Sequence, residues 1–153
     1  MKALVQKLLF SRATKALCAI YLVWAGLILG VSFIATPVKF QAPHLSLAVA
    51  LEVGKVTFHL FNKLEWMLLG WSLFLTKLSA ARGMPWRTNL ILLGLLFGQT
   101  FWLLPALDQR LEVIVNGGEV DPSYYHWGYV GAEVTKLLLL FRSAWSMLQQ
   151  RTE

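Results

Sequence analysis

Leu17–Val38 contains no charged residue, and neither does Thr88–Leu107. A bilayer's hydrocarbon core is about 30 Å thick and takes about 20 apolar helical residues to cross, so each stretch suffices for one passage. Residues 56–77 and 124–148 are also apolar, but the first carries His59, Asn62, Lys63 and Glu65 and the second Glu133, Lys136 and Arg142. Such helices are tolerated in a bundle, where polar groups turn towards neighbouring helices. The pattern predicts an all-α integral membrane four-helix bundle. Its spans fall at about 17–38, 56–77, 88–107 and 124–148, in one transmembrane domain over 1–153.

Composition supports this. Of 153 residues, 57% are hydrophobic and 14% charged, against roughly 45–50% and 25% in soluble domains. One cysteine, Cys18, excludes a disulfide scaffold. A net charge of +6 invites a nucleic-acid reading, but the basic residues are sorted by side. Lys2, Lys7, Arg12 and Lys15 precede the first span, Lys77, Arg82 and Arg87 join the second to the third, and Arg142 and Arg151 lie at the end. The opposite side is net acidic, with Glu52, Asp108, Glu112, Glu119 and Asp121. Positive charge is retained in the cytoplasm, so both termini are expected there, and the bilayer rather than nucleic acid is the expected partner. Residues 1–16 are expected to form a short N-terminal amphipathic helix on the inner surface. The run behind them is too long for a signal peptide and reads as an uncleaved anchor.

A pattern recurs within the chain. Gly26, Gly30, Phe33 and Pro37 share the spacing GLxxGxxFxxxP with Gly94, Gly98, Phe101 and Pro105, and Glu52-Val53-x-Lys55 is matched by Glu133-Val134-x-Lys136. Two repeated helical hairpins, 17–78 and 88–148, are expected, related by an axis along the membrane normal. Glycines four apart let helices approach closely in lipid, so Gly26/Gly30 and Gly94/Gly98 are expected to mark packing between the first and third spans. Pro37 and Pro105 are expected to end helices at the outer interface, and Asn116-Gly117-Gly118 to form a turn before a helix start at Asp121-Pro122.

At 100° per residue, His44, Glu52, Lys55, His59, Asn62 and Trp66 fall within an arc of about 80°, as do His126, Tyr129, Glu133 and Lys136. Glu and Lys at i, i+3 are close enough to pair. Ionisable residues inside a membrane are candidates for function, so Glu52, Lys55, His59, His126, Tyr129, Glu133 and Lys136 form a candidate ligand or ion path. The same stripes also suit a buried Glu–Lys network that fixes helix register. No metal or cofactor is expected, since the three histidines form no HxxxH and no CxxC is present. Gly117-Gly118 is followed by Glu119, which would repel phosphate.

The run Trp24-Ala-Gly26-Leu-Ile-Leu-Gly30-Val-Ser-Phe33-Ile-Ala-Thr-Pro37-Val-Lys-Phe40, then Val53-Gly-Lys-Val-Thr-Phe58-His-Leu-Phe61, resembles the bacterial membrane proteins grouped as domain of unknown function 4149, related to animal transmembrane protein 205. His126 after Ser123-Tyr-Tyr matches a family histidine near the last helix. The resemblance implies a small four-helix integral membrane protein of undefined activity, placed in a bacterial inner membrane, and carries over no catalytic residue. Two functional readings follow. The first is a non-enzymatic structural or accessory component, open to oligomerising or docking on a larger membrane complex. The alternative is a small transporter, channel or ligand-binding protein using the paired stripes.

Overall fold

The structure, a computed structural model, describes residues 2–79, 83–121 and 123–149, with side chains from residue 12 onward apart from Met84. It is all-helical, with no strand among the described residues. Helix α1 spans Lys2–Ile28 and is prolonged through a π turn, Leu29–Ala35, into Thr36–Lys39. Helix α2 spans Leu47–Leu78. Helix α3 spans Met84–Gly98 and is prolonged through a second π turn, Gln99–Leu103, into Leu104–Val115. Helix α4 spans Tyr125–Gln149.

Local chemistry sets several of these ends. The hydroxyl of Ser46 accepts from Val49 N–H and caps the start of α2, satisfying one of the donors a helix start leaves unpaired. At the end of the third helix, Gly117 adopts φ +79°, a left-handed conformation open to glycine at little cost. Its N–H bonds Ile114 O at 3.0 Å, and Gly118 N–H bonds Val113 O at 2.9 Å. This pair of bonds is a Schellman motif.

Neither proline ends its helix, contrary to the sequence expectation. Helix continues to Lys39 past Pro37 and to Val115 past Pro105. A proline ring collides with the carbonyl four residues back and offers no N–H, but here a π turn precedes each one. Thr36 N–H reaches back five residues to Val31 O, and Leu104 N–H reaches Gln99 O. The widened turn shifts the bonding pattern ahead of the ring, so the helix passes the proline. In the first case the Thr36 hydroxyl also donates to Val31 O at 2.8 Å.

Each helix packs on its neighbours in the chain, and α1 also packs extensively on α4. Helices α1 and α3 therefore stand diagonally across the bundle, as do α2 and α4. This corrects the expected packing of first against third span through glycines. A Cβ at Gly26, Gly30, Gly94 or Gly98 would meet no atom within 4 Å, and the latter two open onto a groove between α3 and α4. The helix over 1–16 also differs from expectation, since α1 runs unbroken from Lys2 through the start of the first span. Helix α4 begins at Tyr125 rather than at Asp121.

The distribution of polarity is inverted relative to a water-soluble bundle. Trp71, Phe97, Phe101, Trp102, Leu138 and Trp145 point outward and are exposed, while Glu65, Asn89, Gln99, Glu133 and Lys136 are buried. Two helical stretches, Arg12–Lys39 and Pro85–Val115, are long and apolar enough to cross a membrane.

Candidate functional site

Polar side chains from all four helices meet at the centre of the bundle. Lys136 Nζ lies 2.5 Å from Glu65 Oε1 and 2.7 Å from Glu133 Oε1. Helix α2 supplies Glu65 from the diagonal position, whereas Glu133 is one turn before Lys136 on the same helix. Trp24 Nε1 of α1 donates to Glu65 Oε1 at 2.9 Å. Gln99, in the second π turn, donates to Glu133 Oε1 at 2.8 Å, and Ser32, in the first, donates to Glu133 Oε2 at 3.1 Å. The π turns thus carry the two neutral donors that hold Glu133. Two carboxylates share one ammonium, so the ionised cluster carries one negative charge in excess. Burying charge is costly unless it is paired and hydrogen-bonded, and the donors supply only part of this. Glu65 Oε2, Gln99 Oε1, Asn62 Nδ2 and the Tyr129 hydroxyl are buried without a partner among the described residues.

A cleft of about 270 Å³ leads to this cluster from the end of the bundle where α1 gives way to the 40–46 loop. Glu133 and Tyr129 form its deep end, Phe33 and Phe58 its walls, and Phe40 and His126 its rim. Phe58 meets the Tyr129 ring edge-on, with centroids 5.1 Å apart.

Further towards the other end, a second polar layer is fully paired around Asn89. Its Oδ1 accepts from Tyr21 and Ser72, each at 2.9 Å, and its Nδ2 donates to Thr76 at 2.9 Å. Thr88 and Ser143 bond at 2.6 Å beside it. Leu69, Leu92 and Leu140 fall between the two polar layers, each along its own helix, and all three are buried.

The sequence-predicted residues separate into three groups. Tyr129, Glu133 and Lys136 are buried at the centre, with Glu133 and Lys136 paired as the i, i+3 spacing predicts. His59 and Lys55 face Leu104–Val115 instead. His59 Nε2 lies 2.7 Å from Asp108, and Lys55 Nζ lies 3.0 Å from Glu112, whose carboxylate raises the lysine's affinity for its proton. Lys55 therefore pairs with Glu112 rather than with Glu52, which is exposed. The prolonged third helix lies beside this part of α2 and brings its acids within reach. His44 lies exposed in the loop before α2, and His126 is exposed at the cleft rim.

Glu65 is the participant that the stripe pattern left out. It lies on the flank of the arc containing Asn62, from which it is separated by i, i+3. Trp24, Ser32 and Gln99 carried no recognisable signal, because their roles follow from helix packing. Among the described residues, no three His, Cys, Asp or Glu side chains come together as a metal site would require. Comparison of the chain with protein-family models, with curated proteins and with solved structures returned no match.

Proposed function

We propose that this chain is a multi-pass integral membrane protein that binds a small ligand at its buried Glu65–Lys136–Glu133 centre, as a receptor or transport module rather than an enzyme. The observation that carries the reading is the cleft ending on Glu133, a buried carboxylate in a cluster with more acid than base. Structural ion pairs can be balanced and sealed, whereas this one holds more acid than base, borders a cleft at Glu133 and leaves the Tyr129 hydroxyl unpaired at the cleft's deep end. The membrane reading draws support from the outward-facing apolar side chains, the two uncharged helical stretches and exposed Trp86, Trp127 and Trp145 near helix ends, as amphipathic rings prefer. It places both termini in the cytoplasm of a bacterium and the cleft on the outer side. The resemblance to the domain of unknown function 4149 family is part of the same proposal. A π turn ahead of each motif proline supports the descent of both halves from one hairpin.

A second reading, a structural or accessory component, is favoured by the reach of the network. Its bonds join α1, α2, α3 and α4 and would fix their register without any ligand. Dicyclohexylcarbodiimide, to whose C=N bond a carboxyl group in apolar surroundings adds when it carries its proton, separates the two readings. Treatment of the membrane-embedded protein is expected to yield an adduct on Glu133, located by mass spectrometry and absent from Glu133→Gln. Labelling of neither Glu133 nor Glu65 would indicate a closed, structural network.

A further inference from the structure

The cluster's charge, the cleft's walls and the unpaired hydroxyl together define a class of ligand. We propose that the cleft takes a small organic monocation with an apolar body, such as a substituted ammonium, whose charge approaches Glu133 while its body lies between Phe33, Phe58 and Tyr129. This rests on the ligand-binding reading above and adds to it the chemistry of the ligand.

Charge is the first argument. The cluster sets two carboxyl groups against one ammonium, so this buried site is neutral only when one carboxyl keeps a proton or a cation joins it. The cleft meets the cluster at Glu133, whose Oε2 holds a single neutral donor, Ser32. A monovalent cation there would balance both carboxylates and let that proton leave. An anion would face Glu133, and a neutral ligand would gain nothing from the second acid.

The walls decide which cation. Hard metal cations take about six or more oxygen ligands, and the cleft has few oxygens to offer. Its side-chain oxygens are those of Glu133, Ser32, Thr36 and Tyr129, too few for such a shell. Aromatic faces attract organic cations, the more so when desolvated. Phe33, Phe58 and Tyr129 surround the approach to Glu133, and the Tyr129 hydroxyl can accept from an ammonium N–H or donate to a polar substituent. Lys39 lies with Nζ 5.0 Å from the Phe40 ring centre, so that ring is already engaged at the rim. A volume of about 270 Å³ lies just under the range of drug-sized pockets and fits a ligand of one ring or a short chain.

Benzyltrimethylammonium and its uncharged carbon counterpart, neopentylbenzene, test the proposal. Each is measured by equilibrium dialysis against the full chain in dodecyl maltoside, with Val130→Trp, which adds bulk to the cleft lining and keeps Glu65, Glu133 and Lys136 in place, as background. Wild type is expected to bind the cation at least tenfold more tightly than Val130→Trp, than Glu133→Gln and than it binds neopentylbenzene. Unchanged melting and elution of Val130→Trp keep the comparison independent of folding in Glu133→Gln. Added phosphatidylethanolamine separates two supporting outcomes: displacement of the probe identifies a lipid headgroup as the cation's source, and no displacement a free solute. Preferential binding of neopentylbenzene, abolished by Val130→Trp, would overturn the cationic ligand and leave the binding site standing. Equal retention of both probes by wild type and Val130→Trp would overturn the site as well.

Discussion

Lys136 Nζ lies 2.5 Å from Glu65 Oε1, across the bundle axis and 71 residues away in the chain, with both side chains wholly shielded. Glu133 holds the same ammonium from the other side. Removing it would leave two buried carboxylates facing each other. Lys136→Met is therefore expected to destabilise the folded bundle by about 3–5 kcal/mol, read as a lower midpoint in an SDS unfolding titration. Adding Glu65→Gln is expected to recover part of the loss, with a coupling of about 0.5–3 kcal/mol. Strictly additive losses would mean that the two side chains act independently.

Asn89 is the hub of the second polar layer. In Asn89→Leu the Tyr21 and Ser72 hydroxyls lose the Asn89 acceptor and fall back on Pro85 O and Leu69 O, and Thr76 loses a donor. Each lost hydrogen bond costs about 0.5–1.5 kcal/mol, so the unfolding midpoint should fall although leucine is more apolar. A midpoint equal to or above wild type would contradict these hydrogen bonds.

Two glycine substitutions should separate backbone need from helix packing. Gly117→Ala forces a side chain into φ +79° and is expected to cost about 1–2 kcal/mol. Gly94→Ala meets no atom within 4 Å and exchanges glycine for a better helix former, so it is expected to be neutral or stabilising by up to about 1 kcal/mol. A marked loss in Gly94→Ala would mean that another molecule packs on that face.

Reporter fusions check the orientation. A fusion after Arg87 is expected to report cytoplasm and one after Gly118 periplasm, following the sorting of lysine and arginine. The opposite pattern would put the cleft on the cytoplasmic side.

Much of the helical layout is legible in the residues. The uncharged runs fall within α1 and α3, and Gly117-Gly118 closes the third helix as a turn signal should. The bundle's arrangement is less legible, because a glycine pair marks a smooth helix face without saying what covers it. Pro105 reads as a stop because proline blocks an α turn; a preceding π turn removes the block, and nothing in the composition of Gln99–Leu103 announces one. At the site, Glu133 and Lys136 were visible from their spacing. Glu65 was not, since its partner lies across the bundle, and Lys55 took Glu112 because the third helix ran on beyond its proline.

Leu69 sits one turn beyond Glu65 on α2, and Leu140 one turn beyond Lys136 on α4, so two of the three leucines that floor the site ride on the helices that carry its ion pair. If the cleft admits a solute as proposed, these leucines and Leu92 of α3 close its way to the far side. Parting α2 from α4 at that layer would also draw Glu65 away from Lys136, which ties the seal to the charge pair.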